Sequence, residues 1–130
     1  MKQKVHSVSY LAKAEFEFKN GVYDLVALPS GAEVVKVSLE VVGSDPMING
    51  GVNVGFKDET PKNYFLSLDN VLVLDNVSKN VLSSFTSNKD YTATSNKVVV
   101  AEVSGTKGYD DVKCILRVLY FLPSVIEVEY

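Results

Sequence analysis

Hydrophobic and polar positions alternate with a period of two along much of this chain. In residues 33–42, valine or leucine occupies every second position from Val35 to Val41, and the positions between are Lys, Ser and Glu. This spacing predicts a β-strand with one face buried. The segment Leu28-Pro29-Ser30-Gly31 precedes it and predicts a type I turn, with Pro29 at the second position and Gly31 at the fourth.

Similar patterns predict strands along the rest of the chain. The predicted segments are Val8–Phe18, Val22–Leu28, Val52–Phe56, Tyr64–Leu68, Val71–Leu74, Lys97–Val103, Val112–Leu122 and Ile126–Tyr130. Polar turn residues separate most of them, as in Asn20-Gly21 and Gly43–Gly51. The composition of residues 83–96 predicts an exposed loop with a short strand near Tyr91–Thr94.

Three segments allow more than one interpretation. Residues 9–15 tolerate a helical turn, and Val77–Phe85 fits either a helical turn or an irregular connection. The segment Val112–Leu122 also fits a helical stripe, but its Val, Ile, Tyr and Phe residues favour a strand. The chain therefore contains about nine short strands and at most a short helix.

This pattern predicts an all-β fold, either an antiparallel β-sandwich or a barrel. The 130 residues predict a single domain spanning 1–130, with the N-terminal segment 1–12 as a candidate arm. No fixed-period repeat is visible, which argues against a propeller or solenoid. The Cys…Trp…Cys signature of immunoglobulin domains is absent, but alternation alone does not separate an immunoglobulin-like sandwich from a jelly roll.

Composition limits the partners and the chemistry. The net charge of −3 and the lack of a dense Lys/Arg run argue against nucleic-acid binding. The longest apolar stretch, Cys114–Leu122, contains Arg117 and is too short to span a membrane. Residues 1–6 lack the apolar core that follows in a signal peptide, so we expect synthesis in the cytoplasm. The single cysteine, Cys114, is expected to be a buried hydrophobe.

No residue pattern indicates catalysis. His6 is the only histidine, and neither a Gly-x-Ser-x-Gly elbow nor a phosphate-binding glycine loop is present. Calcium is the one ion considered, since acidic residues fall in predicted loops, but their spacing matches no calcium loop. These residues are Asp45, Asp58, Glu59, Asp110 and Asp111. We therefore expect neither enzymatic activity, nor a cofactor, nor a bound metal.

The predicted strand at residues 112–122 is apolar on both faces. Ile115, Leu119 and Phe121 form the surplus set, because a two-layer sandwich buries only one face of each sheet. Either the protein's own chain or another subunit must cover them, and they are candidate oligomer contacts.

Aromatic residues suggest an alternative function. Tyr23, Tyr91 and Tyr109 are predicted to be exposed and are candidate ligand contacts of a carbohydrate- or ligand-binding module. The other aromatic residues on apolar faces are expected to fill the core: Tyr10, Phe16, Phe18, Phe56 and Tyr120.

Several short motifs resemble one known group of proteins. Leu28-Pro29-Ser30-Gly31-Ala32 and the strand after it are similar to a turn and strand found in small structural proteins of tailed phages and prophages. Val52-Asn53-Val54-Gly55, Tyr64-Phe65-Leu66 and the apolar segment Lys113–Tyr120 follow in the same order. The resemblance covers residues 22–120, except for 71–96.

The resemblance implies a β-sandwich of jelly-roll type that is part of a virion, such as a head fibre or decoration protein. It also implies homo-oligomers, with a trimer favoured, contacts with other virion proteins, and no catalytic residues. We therefore expect a non-enzymatic virion structural protein that is made in the cytoplasm and incorporated into the virion. The runner-up is the ligand-binding module described above.

Overall fold

The computed structural model describes residues 2–5, 8–43, 49–72, 81–87, 89–109, 111–122 and 126–129. These residues form eleven β-strands: β1 (Lys2–Val5), β2 (Val8–Glu17), β3 (Gly21–Leu28), β4 (Glu33–Val42), β5 (Asn49–Phe56), β6 (Leu66–Leu72), β7 (Val81–Ser87), β8 (Tyr91–Thr92), β9 (Lys97–Ser104), β10 (Lys113–Leu122) and β11 (Ile126–Glu129). They include no helix, and hence no helix long and apolar enough to cross a membrane.

The strands form two main antiparallel sheets. The first sheet has the order β2-β10-β4-β7, with the short β8 paired to the start of β4. The second sheet has the order β3-β9-β5-β6. Strands β1 and β11 pair with each other in a separate two-stranded ribbon.

The pairing of the strands is nested, which defines a jelly roll. β2 pairs with β10, β3 with β9, β4 with β7, and β5 with β6. Each pair joins one strand from the first half of the fold to one from the second half, as in a long antiparallel hairpin rolled into two layers. The predicted all-β jelly-roll sandwich is confirmed, and the immunoglobulin-like alternative is excluded.

The core lies between the two sheets and is almost entirely apolar. Its largest fully buried side chains are Phe18, Phe56, Leu28, Leu39 and Leu116. Burying a leucine or phenylalanine side chain contributes about 1.5–3 kcal/mol to stability, so these residues supply much of the driving force. Phe16, Phe18 and Phe56 are buried as predicted.

The turn before β4 differs from the predicted turn by one residue. The Ala32 amide donates a hydrogen bond to the Pro29 carbonyl over 3.1 Å, so the turn spans Pro29–Ala32. Gly31 occupies its third position with φ of 90°. A positive φ at that position is characteristic of a type II turn, and glycine adopts it without steric cost. The prediction of a type I turn over Leu28–Gly31 was therefore wrong.

A β-bulge changes which residues of β4 face the core. Leu119 lies opposite Lys36 and Tyr120 lies opposite Val34, so Val35 is an extra residue in β4. Val34 is fully buried, whereas Val35 is 41% exposed. The alternation therefore begins one residue earlier than predicted, and Val35 does not join the buried face.

The middle of the chain contains more strand than predicted. Residues 66–72 form one strand instead of two short segments, with a register shift opposite Gly50–Val52. Val81–Ser87 is neither helix nor loop, because it pairs with β4 along nearly its whole length. Its serine and threonine residues suit an edge strand with one face exposed to solvent. Composition alone does not distinguish such a strand from a loop. The end of the predicted segment Val71–Leu74 lies outside the described residues.

The loop between β5 and β6 folds over the outer face of the second sheet at Gly55. A Cβ atom on Gly55 would lie 2.6 Å from both the Lys62 carbonyl carbon and the Asn63 nitrogen. Val100, the register partner of Gly55, is fully buried although it lies outside the core cluster. The protein's own loop therefore covers this part of the outer face.

Replacing Gly55 with alanine is expected to lower the free energy of unfolding by about 1–3 kcal/mol, because the backbone of the loop must move to admit a methyl group. Urea denaturation measures the change. Asn53→Ala, two residues away on the same strand, is the matched control and is expected to change stability by less than about 1 kcal/mol. Equal effects of the two substitutions would contradict the close approach.

Cys114 is fully buried in the core, as predicted. Burial raises the pKa of its thiol to about 12. Between about pH 7 and 9 the native protein should therefore react very slowly with iodoacetamide, which attacks the thiolate, and quickly once unfolded in urea. Mass spectrometry of the alkylated protein checks this. Rapid labelling of the native protein would show that Cys114 is accessible.

Candidate assembly surface

The outward residues of β10 form the centre of one continuous surface on the first sheet. Ile115, Leu119 and Phe121 lie at alternate positions of β10, on the face away from the core, and each is partly exposed. The structure therefore brings the three candidate oligomer contacts together on one face, as their spacing predicted.

Leu11 extends this surface onto the edge strand β2. It lies directly opposite Leu119 and is 62% exposed, the highest value among the large hydrophobic residues described. On the other side of Leu119 lies Lys36 of β4. Together with Ser38 and Arg117, these residues line a shallow depression of about 240 Å³. Sequence analysis missed Leu11, because the strand it belongs to has no second apolar residue on the outward face.

Positive charge lies beside the depression. Lys13 of β2 is directly opposite Arg117 of β10, and like charges in that position destabilise a sheet. The Arg117 guanidinium donates a hydrogen bond to the Glu40 carboxylate on β4, which offsets part of this repulsion. Among the residues the structure describes, the ammonium groups of Lys13 and Lys36 have no ion-pair partner.

Exposed hydrophobic residues cluster at the same end of the first sheet. Val8, Tyr10 and Val35 are 40%, 45% and 41% exposed. Tyr10 stacks on Tyr120, its register partner in β10, with ring centroids 5.5 Å apart. Tyr10 and Tyr120 were predicted to fill the core, but neither is fully buried. Both lie near the end of the first sheet, where the core residues of the second sheet do not enclose them.

The three tyrosines of the ligand-binding alternative do not form a common surface. The Tyr23 ring packs on Phe16, and its hydroxyl donates a hydrogen bond to the Lys19 carbonyl over 2.6 Å. Tyr91 packs on Phe56 at 4.5 Å between centroids.

Tyr109 is buried, contrary to the predicted exposure, because its ring lies against Phe18 and its hydroxyl accepts a hydrogen bond from the Asn49 amide. Each of the three tyrosines therefore packs on a different phenylalanine of the core.

The described acidic residues considered for calcium do not form a metal site. In the described ranges, no three His, Cys, Asp or Glu side chains come together as a metal site. Asp58 forms an ion pair with Lys97, and the hydrogen bond from that ammonium lowers the pKa of the carboxyl group. Asp45, Asp110 and His6 lie outside the described residues.

Comparison with solved structures shows that other proteins have this fold. The fold is shared with two phage capsid chains of low sequence identity. One is from the cyanophage Pam1 capsid, with 20% identity, coverage of 88% of this chain and 85% of that one, and a TM-score of 0.64. The other is from the capsid of Ralstonia phage GP4, with 12% identity, coverage of 92% and 88%, and a TM-score of 0.57.

A third match is much more similar in sequence. A chain in the acid-stable capsid structure of Helicobacter pylori bacteriophage KHP30 is 70% identical, with all of both chains covered and a TM-score of 0.85. The chain therefore belongs to the same family as this phage capsid component. The resemblance to phage virion structural proteins is confirmed. No family model and no curated protein matches the sequence.

The ion pair between Arg117 and Glu40 is expected to stabilise the fold by about 0.5–1 kcal/mol, because both side chains are partly exposed. A double-mutant cycle with Arg117→Met and Glu40→Gln measures this coupling in urea. Glu40→Gln should cost more than Arg117→Met, since it leaves Lys13 and Arg117 opposite each other without a carboxylate. Additive effects of the two substitutions would show that the pair contributes nothing.

Proposed function

We propose that this protein is a non-enzymatic structural component of a phage capsid and works through homo-oligomeric assembly. The observation that carries the proposal is the 70% identity over the full length to a chain of the KHP30 capsid. The exposed apolar surface on the first sheet supports it independently. A monomer rarely retains a group of neighbouring exposed hydrophobic residues of this kind.

The proposed contact between copies includes the three outward residues of β10, Ile115, Leu119 and Phe121. Each would gain stability from burial, and Leu119 the most, because its neighbour Leu11 is also exposed. Full burial of one leucine side chain contributes about 1.5–3 kcal/mol. The surrounding charges would set the orientation of the contact more than its strength.

Three finer proposals accompany the assembly role. The family resemblance favours a trimer as the oligomer, in contact with other virion proteins. Synthesis in the cytoplasm before incorporation into the virion remains our expectation. An arm was predicted over residues 1–12, but residues 8–12 pair with β10 in the first sheet, so the arm in this proposal is limited to the chain before β2. The pairing of β1 with β11 apart from both main sheets supports it. The ligand-binding alternative is not retained, since its tyrosines share no surface.

Replacing Leu119 with asparagine is expected to weaken self-association at least about tenfold, because asparagine keeps a similar volume but removes the apolar surface. Sedimentation velocity over a range of concentrations measures the dissociation constant. Thr86→Asn, an exposed substitution on the same face at the edge strand β7, is the control and should leave association unchanged. A wild-type protein that remains monomeric at high micromolar concentration would overturn the proposal of homo-oligomeric assembly.

A further inference from the structure

One exposed hydrophobic residue lies far from the surface described above. Val22 is 49% exposed on β3, the edge strand of the second sheet. Its position alternates with that of Tyr23, which packs on the core, so Val22 lies on the outer face of that sheet. The other exposed large hydrophobic residues, Val8, Tyr10, Leu11 and Val35, all belong to the first sheet.

Negative charge flanks Val22. Glu102 of β9 lies directly opposite it, and Asp24 follows two residues later on the same strand. Asp24 is neutralised by Lys57, with 2.7 Å between its Oδ2 and the lysine Nζ. Within the described part of the chain, the carboxylate of Glu102 has no ion-pair or hydrogen-bond partner. Val22 is thus an exposed aliphatic side chain beside one unpaired carboxylate.

The depression on the first sheet has the complementary character. Leu11 and Leu119 supply apolar walls, and Lys36 and the neighbouring Lys13 supply unpaired ammonium groups. Its volume of about 240 Å³ exceeds that of one valine side chain. The depression therefore has room for a valine side chain, and the two surfaces are both apolar and carry opposite charges.

We propose that a second copy of this chain binds here, with Val22 of one copy in the depression between Leu11 and Leu119 of its neighbour and Glu102 beside Lys36. This inference rests on the proposed homo-oligomeric function and names the two surfaces that meet. The contact joins two different surfaces. Each copy therefore binds one neighbour through Val22 and a second neighbour through the depression. Successive copies joined in this way form a ring where the rotation between neighbours closes, and an open helical assembly where it does not.

The net charge of −3 on each copy opposes association. Local pairing of opposite charges at the contact would offset this repulsion. This relative placement brings the carboxylate of Glu102 against the ammonium groups of Lys36 and Lys13. Lys36 and Glu102 lie on the outer faces of opposite sheets, so they cannot meet within one copy. Any energetic or chemical coupling between them must arise between copies.

Carbodiimide cross-linking tests the contact directly in the wild-type protein. The reagent joins an ammonium group to a carboxylate without a spacer, and we expect a peptide in which Lys36 or Lys13 is linked to Glu102. Mixing copies with natural and heavy nitrogen isotopes shows by mass spectrometry that the link is between copies. An oligomer whose cross-links involve other residues and never Glu102 would overturn the inference.

A charge exchange provides the second test. Lys36→Glu and Glu102→Lys are each expected to raise the dissociation constant about three- to tenfold, and the double variant is expected to recover most of the wild-type affinity. Both positions are on the surface, and thermal denaturation controls for folding. Additive losses in the double variant would overturn this contact while leaving the oligomer intact. A monomeric wild-type protein would instead overturn the proposed function itself.

Discussion

The structure depends on the pairing of β10 on both sides over nearly its whole length. β2 pairs with all ten residues of β10, and β4 pairs with nine of them, Lys113–Phe121, so most of the strand lies between two antiparallel neighbours. Because every second side chain then faces the second sheet, Cys114, Leu116 and Val118 are fully buried. The same geometry forces the alternate residues outward, whatever their chemistry. The core and the candidate assembly surface are therefore two faces of one strand.

The outer faces of the two sheets differ in how far the protein's own chain covers them. On the second sheet, the loop after β5 approaches the backbone at Gly55 and buries Val100. On the first sheet, the described chain leaves Leu11 uncovered and Leu119 only partly covered. The protein's own loop therefore covers surplus apolar residues on the second sheet, and covering by another subunit is proposed for the first. The uncovered sheet is where assembly is proposed.

Period-two alternation was sufficient to predict most of the strands and an all-β sandwich or barrel, because a half-buried strand requires it. The jelly-roll type was implied by the resemblance to phage structural proteins. The alternation also predicted that Ile115, Leu119 and Phe121 share one face. The alternation did not predict the structure where pairing with a neighbouring strand determines whether a segment is a strand or which of its residues are exposed. β7 is rich in serine and becomes a strand only through its pairing with β4. Leu11 is recognised as part of an apolar surface only when Leu119 is known to lie opposite it. The bulge that exposes Val35 has no local signature in the sequence.

Charged residues protect one half of the edge strand β2 from pairing with other chains, and the other half lacks them. Edge strands invite pairing with other chains, and natural proteins protect them with charged residues. The second half of β2 carries Lys13, Glu15 and Glu17 on its outward face, all exposed to water. Residues 8–12 carry no charge and include three of the exposed hydrophobic residues. On the outward face, these protective charges therefore end where the depression at Leu11 and Leu119 begins. This distribution of charge is expected if one end of the sheet contacts another subunit while the rest of the edge remains in solvent.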